Sequence, residues 1–525
     1  MTKRIVVVGA GVSGLTAAYR IQKAMEQGGD VQVTVVERDS RVGGKLWTER
    51  ATDDLGRTIV AEGGSDSFLA VKPGVHRIAA ELGIADQVVG TMDENKGTYI
   101  VKSGRMLPLV DGMMMFAPTK IVPLATSKLY SWPGKLRMGL DLIIPKKVQP
   151  ASGIEDESLE SLVVRRLGRE CLDRVAEPLV GGVNGSDPAT MSIMATYPML
   201  LEMEQKHGSL ILGFLAQRKA VKGAAGQKGS GAGPGASGSG GAPQGAGSTG
   251  APTAKRPRSM FASFGNGLGF FTDTLAERVG SDNIRLATEV VSIVRSGGGY
   301  DVTVRPTGSD SAAVETIHAD GVVLAVEAWA AGTLLAAIDT RAAEIASSIP
   351  NSSCATITME FDESVMPFHR KWHGALSPGV ERRPVTGISL VSSKWAKRTP
   401  EGAIQLRCFV GGARDANILD HSDDELVAFA RQSYKELLGI PLEATSRYTG
   451  VFRFEKGMPQ YTVGHLDRMD ELDEIVARVP GFEVAGGAFR GVGVPNCVDS
   501  GDFAAQRILV DLGVEITDGG GAGGR

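Results

Sequence analysis

Residues 5–8 are apolar, β-branched and uninterrupted, the pattern of a strand buried on both faces of a parallel sheet. Gly9-Ala10-Gly11-Val12-Ser13-Gly14 follows. Residues 15–26 then set Ala17, Ile21 and Met25 on one stripe, which predicts a helix. A second apolar run at 31–36 predicts another strand, ending at Glu37. Residues 46–63 read as a hairpin turning through Asp53-Asp54-Leu55-Gly56, and 72–82 as a helix. From 113 to 149 apolar positions mix with Lys120, Lys128, Lys135, Arg137, Lys146 and Lys147, with Asp141 alone in opposition. Residues 155–220 should be largely helical. Strands are predicted at 284–295, 300–305 and 322–326, an α+β region over about 340–455, and a last strand, glycine turn and helix from 482, the helix starting near Ser500.

Two segments cannot build a core. The tract 223–254 mixes Gly with Ala, Ser, Pro and Gln and reads as a disordered insertion, and 519–525 as a flexible tail. What remains predicts an α/β fold with a Rossmann-like domain assembled from separated segments, an α+β domain and a smaller helical part. The boundaries are set at 1–70, 260–335 and 456–518 for the first, 71–112 and 336–455 for the second, and 113–222 for the third.

Composition narrows the partners. With 525 residues, 42% hydrophobic, there is apolar material for more than one compact unit. The net charge of −4 gives no basic face for nucleic acid. Cys171, Cys354, Cys408 and Cys497 lie far apart without metal-like spacing, the usage of reduced intracellular thiols, so a cytoplasmic setting is expected. Residues 322–338 come nearest to a membrane span but carry Glu327, and the N-terminus is read as mature sequence because its glycines have another use.

That use is the strand–GxGxxG–helix context with an acidic residue about 20 positions on, the fingerprint of a dinucleotide site. Gly9 permits the turn, Gly11 lets backbone approach a diphosphate, and Gly14 permits close helix packing. The helix N-terminus, Ala10, Val12 and Ser13 included, supplies N–H groups and roughly +0.5 of a charge to phosphates. Glu37 would accept hydrogen bonds from a ribose. The continuation Glu37-Arg38-Asp39-Ser40-Arg41-Val42-Gly43-Gly44-Lys45 resembles the extension found in large FAD-dependent oxidoreductases of the amine-oxidase type. That resemblance implies non-covalent FAD held by Gly9–Gly14, Glu37, Arg38, Gly43, Gly44 and Lys45, and extends the set to Gly63, Gly64, Val290, Val492, Gly493 and Val494.

Further stretches resemble the porphyrinogen oxidases of haem biosynthesis: 177–192, 204–212, 263–271 (SFGNGLGFF), and 458–465 (MPQYTVGH), the last of them family-specific. Glu327 departs from the pattern, standing where such proteins usually carry Pro. The resemblance implies six-electron oxidation of a porphyrinogen by FAD, with O2 as acceptor and H2O2 as by-product. It also implies hand-over of product to a ferrochelatase. Coproporphyrinogen III is preferred as substrate, with protoporphyrinogen IX as the alternative; an amine oxidase or carotenoid desaturase on the same framework, or a porphyrin-carrying module, is the more distant one. No protein nucleophile is needed, so no catalytic side chain is assigned. Of Lys96, Lys102 and Arg105, Lys96 is preferred as the propionate-binding cation. The 113–149 stretch is open between a peripheral membrane surface, the substrate entrance and a solvated basic face. His369 and His373 have a metal-like spacing but no partners, so a surface loop is expected and no metal; Cys497 is read as a packing residue. The oligomeric state is left open.

Overall fold

The computed structural model describes residues 2–151, 153–227, 259–309 and 313–514. A five-stranded, all-parallel sheet forms its centre. The strands are β1 (Lys3–Val8), β2 (Val31–Val36), β3 (Ile284–Arg285), β4 (Gly321–Leu324) and β5 (Phe482–Val484), in the order β3-β2-β1-β4-β5. This doubly wound order is drawn from segments spread over most of the chain. Alternation along β1 explains its uninterrupted apolar run. Ile5 and Val7 enter the core beneath α1 (Val12–Glu26) and α2 (Val494–Asp511), while Val6 and Val8 enter the core on the opposite face. Ala17 and Ile21 are buried as expected, but Met25 is 37% exposed. It stands in the last turn of the helix, one residue before its end.

The α1 and α2 helices lie in contact because glycines allow it. A Cβ on Gly501 would stand 2.0 Å from the Ser13 carbonyl oxygen. The α2 helix begins at Val494, before the expected start near Ser500: Gly493 is its N-cap, and Pro495 is tolerated in the first turn because no N–H is needed there.

A seven-stranded mixed sheet forms the second unit. Its order runs Ser446–Pro459, Asn351–Asp362, Ala403–Gly411, Val385–Leu390, Gly374–Leu376, Thr98–Lys102 and Arg105–Pro108. The long strand Ser446–Pro459 runs through the boundary drawn at 455. The helical part packs around a buried network in which Arg166 Nε donates to Asp141 (2.6 Å) and Asp141 accepts from the Ile211 N–H (2.9 Å). Asp141 therefore does not oppose the surface lysines of 113–149; it is wholly buried. The helix Leu210–Gln227 carries residues 223–227, so the start of the glycine-rich tract is helical rather than disordered; 228–254 and 519–525 lie outside the described residues.

Candidate cofactor and active site

The turn between β1 and α1 is shaped by three glycines with different tasks. Gly9 has φ +100°, and a Cβ there would stand 2.6 Å from the Ala325 carbonyl oxygen. A Cβ on Gly14 would stand 1.9 Å from the Gly9 oxygen. Both are demanded by the chain's own packing. Gly11 is not: its backbone is ordinary (φ −69°, ψ 175°) and a Cβ would meet nothing within 4 Å. A position where the fold leaves open space in front of bare backbone fits a ligand that comes close to it. No side chain caps α1 and its first turn holds no acidic residue, so its leading N–H groups face that space. The α2 N-terminus, at Gly493, is likewise uncapped by any side chain.

Glu37 ends β2 beside this cradle. Its carboxylate accepts from the Ala10 N–H (2.6 Å) and the Asp39 N–H (2.8 Å), and burial pushes its pKa up against those two bonds. It therefore pins the glycine turn, a task its spacing alone did not reveal, and its oxygens keep lone pairs for further donors. The next loop closes on the cradle: the Gly43 N–H donates to the Ala10 carbonyl (2.8 Å), and a Cβ on Gly44 would reach 3.2 Å from Gly11 Cα. Arg41, not Arg38, fixes this loop, donating to the Gly44 carbonyl (2.7 Å) and stacking 4.2 Å from the Trp47 ring. Arg38 lies over the Trp329 ring, 5.3 Å from its centroid. Lys45 pairs with Glu327 at 2.9 Å, so the residue that departs from the family pattern has the lysine of the 37–45 stretch as its partner.

Gly63 and Gly64 lie across the same loop, where a Cβ on Gly64 would be 1.7 Å from the Lys45 oxygen. Their carbonyls are held from the seven-stranded sheet. The Thr356 hydroxyl donates to Gly63 (2.6 Å); Arg407 Nη2 donates to Gly63 (2.7 Å) and also to Gly64. Arg407 is buried, as is Arg398, which pairs with Glu62 at 3.2 Å. Burial raises the Asp66 carboxyl, but Lys394 and Arg407 outweigh it and hold it well below the usual range. Sequence reasoning missed this group. Its signal was an arginine inside the buried apolar run 403–411, a residue type that is buried only when partnered.

The remaining expected residues are spread around this centre. Val290 is half-buried at a register shift in the strand Thr288–Ser296 and packs on the core that holds β4. Val492 is 45% exposed, beside Gly493 and Val494 at the α2 N-terminus. Cys497 is buried and its thiol is pushed up, mainly by burial, so it is a poor nucleophile. Lys96 is exposed after the turn Asp93–Asn95, whereas Lys102 is used internally, donating to the Lys128 (2.9 Å) and Leu129 (2.8 Å) carbonyls. His369 and His373 are not on a helix: they hydrogen-bond the Tyr99 hydroxyl and the Met92 carbonyl. Among the described residues no three His, Cys, Asp or Glu side chains form a metal site. The residues present fit FAD, with an open glycine cradle, two bare helix N-termini and an acidic group at the end of β2.

Comparison with known proteins agrees with this geometry. The family described as flavin containing amine oxidoreductase matches residues 12–509. Coproporphyrinogen III oxidase of Propionibacterium freudenreichii subsp. freudenreichii is 33% identical, over 96% of this chain and 90% of that protein. Coproporphyrinogen III oxidase of Bacillus subtilis (strain 168) is 29% identical, over 97% of this chain and 98% of that protein. A crystal structure from Exiguobacterium sp. 255-15 has a TM-score of 0.78 at 26% identity, covering 98% of this chain and 99% of its own.

Proposed function

We propose, from the premise that this chain belongs to the family of flavin-containing amine oxidoreductases, that it oxidises coproporphyrinogen III to coproporphyrin III. FAD is the resident cofactor. O2 is the electron acceptor and H2O2 the by-product. The observation that carries the reading is similarity along nearly the whole chain to coproporphyrinogen III oxidases, reaching 33% identity.

When bound, FAD supplies the hydride acceptor for the macrocycle's bridging carbons. The chain's own part is binding and placement. Gly11 and the α1 and α2 N-termini would hold the diphosphate, and Glu37 would hold the ribose. Arg407 and Thr356 hold the Gly63–Gly64 backbone from the seven-stranded sheet. Lys96 is assigned to a propionate: K96Q should raise KM with kcat unchanged, and an unchanged KM removes it from the site.

The exposed face of 113–149 reads as a peripheral membrane surface. Ile121 (86% exposed), Trp132 (65%), Leu136 (70%), Ile143 (75%) and Val148 (91%) stand among Lys128, Lys135 and Lys146. Apolar residues ringed by cations suit an anionic lipid boundary. Among the described residues no helix is long and apolar enough to cross a membrane. Binding to anionic but not zwitterionic vesicles, lost in W132E/I143E, is the expected result; equal binding to both, or binding to neither, overturns this surface. Such a position would suit delivery of porphyrin to a ferrochelatase.

The deciding experiment compares porphyrin fluorescence from coproporphyrinogen III and protoporphyrinogen IX with the FAD-loaded protein. A faster enzyme-dependent rate with the four-propionate substrate is expected. A preference for protoporphyrinogen IX moves the assignment to that substrate, and no rate with either removes the porphyrinogen reading.

A further inference from the structure

The stretch 458–465 stands out in the sequence, yet none of it lies in the glycine cradle. Its side chains reach the loop between β5 and α2 instead. The Tyr461 hydroxyl accepts from the Gly491 N–H (2.6 Å) and donates to the Gly487 carbonyl (2.8 Å), bridging that loop from one side to the other. His465 Nε2–H donates to the Phe489 carbonyl between them (2.7 Å). The two rings stack with centroids 3.8 Å apart at 14°, and both are buried. The loop needs such a brace. Gly486 and Gly491 have φ of +123° and +97°, and the turn's own backbone contributes one long bond, Phe489 N–H to Gly486 at 3.3 Å.

The brace is itself fixed from behind. The Tyr461 carbonyl accepts from the Ser192 N–H (2.8 Å), and Asp156 accepts from the Gly464 N–H (3.1 Å) and the Ser192 hydroxyl (2.6 Å). The end of the 177–192 stretch and the 458–465 stretch therefore join in one structure behind the loop. A carbonyl only accepts, so the His465 proton resides on Nε2, and Nδ1 is buried without a partner. Burial pulls its pKa down to about 4, so the ring is neutral at pH 7.

We infer that Tyr461 and His465 are positioning residues for the flavin, acting through the 486–493 loop and the α2 N-terminus that it leads into. This rests on the reading that the α2 N-terminus faces FAD. Their hydrogen bonds run to the loop's backbone and set where it stands.

The test uses the full chain, depleted of flavin and reloaded with FAD, as wild type, Y461F, H465L and H465Q. Thermal unfolding of the flavin-free protein, FAD affinity by fluorescence quenching, the visible flavin spectrum and the midpoint potential are measured. Y461F and H465L should weaken FAD binding on the order of tenfold, from two and one lost internal bonds, and shift both band shape and potential. H465Q, which keeps an N–H donor near the Nε2 position, should recover most of the difference. Wild-type affinity and potential in Y461F, while G11A loses FAD, overturns the positioning role and leaves the cofactor site standing. Lower flavin-free stability with an unmoved potential and spectrum in both Y461F and H465L reduces the pair to structural supports and also overturns it. A wild type that takes up no FAD overturns the underlying reading.

Discussion

Replacing Gly11 with alanine should separate the cofactor from the fold. Gly11 has backbone angles any residue adopts, and its Cβ would meet no protein atom within 4 Å. Alanine is a poorer N-cap than glycine, at a cost of about 0.5–1 kcal/mol. Its lower freedom in the unfolded chain returns about 0.4–1 kcal/mol. The flavin-free protein should thus keep its stability to within about 1 kcal/mol. With FAD the outcome should differ, because on the proposed site the new methyl would stand where the diphosphate meets backbone. Charge-assisted hydrogen bonds are worth about 1.5–3 kcal/mol each, so losing two weakens binding by roughly a hundredfold or more. Thermal unfolding of flavin-free G11A and wild type, followed by FAD titration, reads both quantities. The control is G14A, whose Cβ would stand 1.9 Å from the Gly9 oxygen; it should destabilise the flavin-free protein by about 1–3 kcal/mol or more. Wild-type FAD affinity in a folded G11A would refute the reasoning, since the diphosphate would then lie elsewhere.

Three further outcomes follow from buried charge. His465 titrates near 4 in the folded chain against 6.5 ordinarily, so between those values the unfolded state holds the extra proton and stability rises with pH. Urea unfolding should show a loss of up to about 3 kcal/mol from pH 7 to pH 4 that is absent in H465Q. Glu360 has the opposite sign: its carboxyl, buried without a hydrogen-bond partner, is pushed up to about 7, so folding holds its proton and stability falls as pH rises through that value. E360Q should then exceed wild type by about 1–2 kcal/mol at pH 8 and lose the advantage by pH 4, as read by the same unfolding curves. R407M leaves the Gly63 and Gly64 carbonyls and Asp66 short of a buried cation, and should cost about 3–5 kcal/mol in thermal or urea unfolding; a cost below about 1 kcal/mol would contradict the clamp.

The residues legible in the sequence were those whose task is local. Gly9, Gly11 and Gly14 are spaced by one turn of backbone, and the run at 5–8 declares its double burial by composition alone. Glu37 was legible as a candidate by its spacing, but its bond to Ala10 depends on how β2 lies beside β1. Arg407 and Gly63 are far apart in the chain, so the clamp exists only once two sheets face each other. The same holds for Tyr461 and Gly487. Met25 follows the helical spacing of Ala17 and Ile21, yet in the last turn of the helix it stays exposed. The early start of α2 was hidden by Pro495, a residue that usually signals the end of a helix and is equally at home in its first turn.

The order of the central sheet also dictates a timetable for making the protein. β1 is synthesised first, but its neighbour β4 follows some three hundred residues later, and β5 and α2 later still. At typical ribosomal speeds β1 waits on the order of tens of seconds for β4, with its apolar edge uncovered. The second bare helix N-terminus arrives after nearly all the other elements. On the proposed site FAD capture is therefore a late event that reports a chain already assembled from both ends, and interruptions in the last fifty residues should yield protein that never turns yellow.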